Sequence, residues 1–263
     1  MNNKTSDTNQ TPLILVTNDD GVDAKGINVL AELMSEIGNV LVLAPAFPQS
    51  GQSNAITVTA PIRFKKVGEK GNIIRYSCTG TPTDCVKLAL NELLDSRKPD
   101  LIVSGINHGS NAAINVIYSG TMGAAFEGCE NAIPSIGFSI NDHDINADFT
   151  FFKPYVMQIA KMVLEKGLPN RVCLNVNAPI GEIKGVRIAR QCDGFWTKEF
   201  EKRDDPRGNG NYYWMTGYFH NLEPNETDTD DWALENGYIS IVPTRIDMTD
   251  YQMMDDLKKW FCQ

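Results

Sequence analysis

Leu13-Ile14-Leu15-Val16-Thr17-Asn18-Asp19-Asp20-Gly21-Val22 is a short apolar run that ends in two adjacent carboxylates and a glycine. Four consecutive aliphatic residues closed by a turn signal read as a strand buried on both faces, as in parallel α/β sheets. Ligand sites in such sheets lie just beyond the carboxyl ends of the strands. Neighbouring side chains on a continuing strand point to opposite faces. Asp19 and Asp20 therefore converge on one point only if the strand stops, and Gly21 offers the break. Two bare carboxylates held that close repel each other unless a positive charge lies between them. A hard divalent cation with oxygen ligands meets that need. Taken alone, Asp-Asp-Gly is more often a simple turn.

Working outward, Ile27, Leu30, Leu33, Met34 and Ile37 recur at helical spacing until Gly38, and Val40–Ala44 reads as a second buried strand stopped by Pro45. Short strands around Ile56–Val58 and Ile73–Tyr76 predict a hairpin. Thr81 caps the next helix, with Pro82 in its first turn, Asp84 at the positive end of its dipole, and Cys85, Leu88, Ala89 and Leu93 on its apolar face. Leu101–Val103 is a third strand, with Ser104-Gly105-Ile106-Asn107 leaving its carboxyl end. A helix over Met122–Cys129 follows, then strand, helix and strand over 133–140, 152–166 and 172–176. The pattern predicts a doubly wound, mostly parallel α/β sheet, with residues 1–10 a disordered lead-in and 11–190 the core. Residues 191–263 form a C-terminal arm with a late strand over 239–243 and a closing helix over 248–261. Its aromatic stretch, 194–222, reads equally as a β-hairpin over the core or as a contact with a second subunit.

Net charge is −9 with a pI near 4.9, which argues against a nucleic-acid polymer as partner, because no basic stripe could neutralise phosphates. A chain of this sign that handles anionic substrates must invert the charge locally, again favouring a bound metal. The six cysteines are scattered without a C-x-x-C pair, as expected of reduced, buried thiols in the cytoplasm. The polar first ten residues are no signal peptide, and no stretch predicts a membrane span.

Three strand ends could meet: Asn18-Asp19-Asp20, Ser50-Gly51 and Ser104-Gly105-Ile106-Asn107. Two carboxylates, a hydroxyl and an amide carbonyl make an all-oxygen set for Mg²⁺, Mn²⁺ or Ca²⁺, with positions left for water and substrate. Separately, Ser50-Gly51 is an ordinary loop pair and Asn107 an ordinary turn residue. A Walker A loop and a G-x-G-x-x-G fingerprint are absent, adjacent carboxylates do not fit an EF-hand, and Asn18 stands where an aspartyl phosphatase needs its nucleophile. Ser119-Gly120-Thr121 at a helix start is either an anion cradle or an ordinary N-cap. Of His108, His143 and His220, none has metal-ligand spacing; only His108 lies near the site, and His143 reads as a solvated turn.

At these residues the chain resembles the SurE (survival protein E) family of 5′/3′-nucleotidases. The matching strings are Thr17-Asn18-Asp19-Asp20-Gly21-Val22, Ser50-Gly51-x-Ser53-Asn54, Gly80-Thr81-Pro82-Thr83-Asp84-Cys85-Val86, Ser104-Gly105-Ile106-Asn107-x-Gly109-x-Asn111 and Tyr118-Ser119-Gly120-Thr121, with Gly237–Ile241 and Pro243 later. The resemblance implies a Rossmann-like core and a metal-dependent phosphomonoesterase acting on nucleoside monophosphates, with 3′-nucleotides and short polyphosphate as further substrates. It implies one Mg²⁺ or Mn²⁺ (or Ca²⁺) on Asp19, Asp20, Ser50 and Asn107, and a homodimer or homotetramer built through the arm. Asn111, Ser119 and Thr121 then hold the phosphate beside Asp19, with Asn18, Gly51, Ser53, Asn54, Gly120 and His108 around the substrate. Ala46-Phe47-Pro48-Gln49 departs from the usual Asp-Arg-Asn-x and Asn115 replaces an acid, changes that bear on substrate preference and rate; the altered loop Ala46-Phe47-Pro48 alone supports the alternative, a catalytically silent nucleotide-binding or assembly protein.

Overall fold

A computed structural model describes residues 10–94 and 97–261. The expected disordered lead-in falls, apart from Gln10, outside the described residues, as does Cys262. The first strand, β1 (Leu13–Thr17), leads through the helix α1 (Lys25–Ser35) to β2 (Asn39–Pro45). The side chains alternate between two cores: Ile14, Val16, Val40 and Val42 face the α1 side, and Leu15, Leu41 and Leu43 the opposite side. That two-sided burial is why the run is uniformly apolar.

The predicted hairpin forms with a different first strand. Ile56–Val58 is not a strand; Thr57 instead gives its N–H and hydroxyl to the Asp84 carboxylate at 3.1 and 2.6 Å. The hairpin pairs β3 (Phe64–Lys70) with β4 (Ile73–Cys78). β3 is an edge strand, largely exposed and rich in lysine, a composition that blocks further pairing and hides the strand from a hydrophobicity scan.

The helix α2 (Pro82–Leu88) runs on into a π-helical turn, Ala89–Leu93. β5 (Leu101–His108) is longer than its apolar core predicts. Ser104–Asn107 lies within the strand, not beyond it, and a register shift against β6 (Ser135–Ile140) marks the irregularity. Between them lie a 3₁₀ turn, Ala113–Ile117, and the helix α3 (Gly120–Glu130). Then come α4 (Lys153–Lys166), β7 (Val172–Ala178) and β8 (Gly185–Ile188).

In the arm, β9 (Gly194–Thr197), β10 (Phe200–Asp204), β11 (Asn211–Met215) and β12 (Tyr218–Asn221) nest as one long antiparallel hairpin. Its β10–β11 tip is exposed throughout and does not cover the core. After α5 (Asp230–Glu235), β13 (Tyr238–Arg245) enters the main sheet between β7 and β8, and α6 (Tyr251–Phe261) ends the described chain. Pro243 is tolerated because β8 pairs only as far as Ile241, leaving one edge of β13 free there.

Among the described residues the main sheet has nine strands in the order β3-β4-β2-β1-β5-β6-β7-β13-β8. It is mixed and mostly parallel, with helices on both faces. From β1 the chain proceeds to β2 on one side and later to β5 on the other. That reversal opens a crevice at the carboxyl ends of β1 and β5. The five described cysteines are buried and unpaired. No described helix is long and apolar enough to cross a membrane.

Candidate active site

Asp19 and Asp20 leave β1 at this crevice, where Gly21 at φ +101° turns the chain. The loop after β2 is latched to the same point by Gln49 N–H on the Asp19 carbonyl (2.7 Å) and Val22 N–H on the Pro45 carbonyl (2.8 Å). The ends of β1, β2 and β5 and the start of α3 thus bound one cleft of about 550 Å³.

Asp19 is buried, and its Oδ1 accepts the Thr121 hydroxyl at 2.6 Å. Burial pushes its carboxyl up to about 6, opposed by the Thr121 bond and reinforced by Asp20. A Cβ on Gly120 would stand 2.9 Å from the Asp19 Cβ, so only glycine lets α3 approach this closely. Asp20 is half-buried, raised by burial, and its Oδ2 accepts the His108 N–H at 3.4 Å. Among the described residues no Lys or Arg pairs with either carboxylate, and none lines the cleft.

Two adjacent carboxylates with no Lys or Arg beside them are suited to share a cation. The donors fit a hard cation. Asn107 gives its amide nitrogen to the Gly109 carbonyl at 2.8 Å, which leaves its Oδ1 as the free end, and Ser50 is an exposed hydroxyl on the cleft wall. No group of three His, Cys, Asp or Glu among the described residues could hold a metal, so an ion here draws on neutral oxygens as well.

Asp19, Ser50, Gly51, Asn107, His108, Asn111 and Ser119 all line the cleft. Ser119 is the N-cap of α3, its hydroxyl oxygen taken by the Met122 N–H at 3.0 Å, with its own proton left to donate. Both readings of Ser119 therefore hold at once: a cap, at the mouth of a helix dipole that favours anions. Asn111 bonds Ser139 (2.8 Å) and Asn177 (2.7 Å), and its carbonyl accepts from Asn175 (2.8 Å).

Other expected residues sit elsewhere. Thr121 is fully buried behind Asp19 and orients that carboxylate, with no wall of the cleft to offer a phosphate. Asn18 is buried, its amide nitrogen on the Gly21 carbonyl at 2.9 Å, so it shapes the turn. Ser53 gives its hydroxyl to the Ile117 carbonyl at 2.5 Å, and Asn54 lines a second groove beside Thr83 and Gly123. Gly120 contributes its lack of a side chain.

Sequence reasoning passed over His143, Trp196, Phe219 and Asp231, which all line the cleft. His143 packs on Gly109, where a Cβ would come within 2.5 Å of its ring. It also missed Asp230, whose carboxylate accepts the N–H groups of Ala113 (2.8 Å), Cys192 (2.8 Å) and Asp231 (2.9 Å), tying arm to site loop. The Thr229 cap before paired acids was the available local signal.

Residues 14–198 match the sequence profile of the family described as Survival protein SurE. The 5′-nucleotidase SurE of Bacteroides fragilis is 54% identical over 256 residues, covering 96% of this chain and 98% of that protein. That of Flavobacterium psychrophilum is 54% identical over 253 residues, covering 95% and 97%. The crystal structure of the SurE protein from Aquifex aeolicus superposes with a TM-score of 0.81 at 37% identity, covering 95% of this chain and 99% of that one.

Proposed function

The chain belongs to the Survival protein SurE family, and from that premise we propose that it is a divalent-metal-dependent 5′-nucleotidase, hydrolysing nucleoside monophosphates to nucleoside and phosphate. One observation carries the reading: Asp19, with Asp20 next to it in the chain and no Lys or Arg paired with either among the described residues, lines a cleft shared with Ser119 at the N-terminus of α3. In a cleft lined by no Lys or Arg, a phosphate dianion cannot sit beside Asp19 unless a cation lies between them.

Asp19, Asp20, Ser50 and Asn107 would hold one Mg²⁺ or Mn²⁺, which when bound offsets phosphoryl charge and positions water. The remaining groups belong to the chain. Ser119 donates its hydroxyl proton to a phosphate oxygen, and the α3 N-terminus favours the anion. Asn111, braced by Asn175, Asn177 and Ser139, presents its side chain from a fixed wall. His108, which lines the cleft, is the residue assigned to move a proton toward the leaving oxygen. Neutral Asn115 lines the cleft, Ala46 does not, and neither is one of the proposed ligands. Nothing favours the catalytically silent alternative.

Phosphate release from AMP tests the reading. Mn²⁺ should support turnover, EDTA should remove it, and Asp19→Asn should lower kcat/KM by at least about a thousandfold with the fold retained. Equal release with Mn²⁺ and with EDTA would exclude it; 3′-AMP and short polyphosphate in the same assay define breadth.

We further infer that the arm and α6, within 191–263, build a homodimer or homotetramer. Phe200, Tyr213, Trp214 and Met215 are exposed on a two-stranded tip, and such a ribbon is marginal in water by itself.

A further inference from the structure

The cleft lining is of two chemical kinds. Asp19, Asn107 and Ser119 come from the core and are polar, and the arm adds Trp196, Met215 and Phe219. We propose that Trp196 is the platform on which the nucleobase of the substrate stacks, making it a specificity-determining residue for nucleotides over other phosphate esters. This rests on the nucleotidase reading above.

The Trp196 ring is held in place before any ligand arrives. Its indole N–H donates to Asn115 Oδ1 at 2.7 Å, and Asn115 belongs to the 3₁₀ turn that leads straight to Ser119. Phe219, directly opposite on β12, meets it edge-on at 6.2 Å and 65°. Gly217 closes another flank, since a Cβ there would stand 3.2 Å from the Trp196 Cε3. The ring is nevertheless only half-buried and borders the cleft.

An aromatic fixed on several sides with a face left over loses little freedom when a planar ligand stacks on it. The cleft volume suits a nucleotide-sized molecule, within the usual range for small-molecule sites. Because the N–H is already engaged by Asn115, Trp196 cannot read a base edge by hydrogen bonding. It offers a π-face, which every base can use. The same Trp196–Asn115 bond ties the platform to Ser119 through one short turn.

The test is the ratio of kcat/KM for AMP to that for ribose 5-phosphate, which has the same ester and sugar without the base, measured with Mn²⁺. Trp196→Ala should lower this ratio roughly tenfold, the scale of one base–aromatic stack. Trp196→Phe, which keeps a ring, should retain most of it. Phe64→Ala, on the edge strand β3 and outside the cleft, should leave it as in the wild type. A change in folded fraction cancels from the ratio, so general damage cannot mimic the result. A Trp196→Ala ratio within about twofold of wild type would overturn the proposal.

If Trp196→Ala is insoluble, inhibition of ribose 5-phosphate hydrolysis in the wild type decides. Adenosine should inhibit at concentrations where ribose does not, and equal indifference to both overturns the platform. Turnover of both esters by the wild type without preference for AMP sinks the platform alone. Turnover of neither sinks the nucleotidase reading.

Discussion

Asp19 sets function against stability. Its carboxyl is pushed up to about 6 by burial, whereas an unfolded chain ionises near 3.8. Between those values the folded protein holds the extra proton. In EDTA, stability contributed below about pH 4 is therefore lost as pH rises through about 6. Asp19→Asn removes this, keeps an acceptor for the Thr121 hydroxyl, and should stabilise the metal-free protein at pH 7.5 by up to about 3 kcal/mol. Calorimetry in EDTA should find a higher Tm for the variant, and Mn²⁺ should raise Tm in the wild type but not in Asp19→Asn. A lower Tm for the variant in EDTA would mean the carboxylate is not strained. Asp230 is likewise pushed up by burial, but three backbone N–H groups on its carboxylate oppose the shift. Asp230→Ala orphans those donors and should cost about 2–4 kcal/mol in urea unfolding, with a rise in KM as the 113–118 turn loosens.

The capping box at α2 was written in the order Thr81-Pro82-Thr83-Asp84, and it forms: Thr81 Oγ1 accepts the Asp84 N–H at 3.1 Å and Asp84 accepts the Thr81 N–H at 3.0 Å. What local reading could not supply is the third partner. Asp84 also holds Thr57, from 27 residues away, in place of the strand predicted at Ile56–Val58. Thr81→Ala should cost about 1 kcal/mol and Asp84→Ala about 2–3 kcal/mol, measured by urea denaturation. Because the Thr81 hydroxyl also donates to the Ala55 carbonyl at 2.7 Å, equal losses would mean only that the Thr57 bonds add nothing beyond that tie. The hairpin β3–β4 carries a related lesson: charge placed to protect an edge strand removes the alternation by which strands are recognised.

Assembly is where the exposed arm matters. If a second copy covers the β10–β11 tip, removing residues 200–215 should reduce the sedimenting mass to that of one chain; an unchanged mass would place the interface elsewhere. Much of the molecule was legible from its order of residues. Apolar runs, caps and turn glycines are local and repeat with the period of the element that uses them. So β1, β2, the α/β class and the acidic turn at Asp19-Asp20-Gly21 could be read directly, and five ordered blocks carried the family. Long-range placement could not be read, because nothing in the neighbourhood of Asn18, Ser53 or Thr121 says which way a polar side chain will turn. Folding sent Thr121 to Asp19 and Asn18 into the turn, each to satisfy a buried polar group with no water at hand, and tied Ser53 to the Ile117 carbonyl at the surface. It also carried Trp196 and Asp230, remote in the chain, to the rim of the site and to the buried knot behind it. Local periodicity decides which elements form, but hydrogen bonding and packing across the sheet decide which side chains a ligand meets.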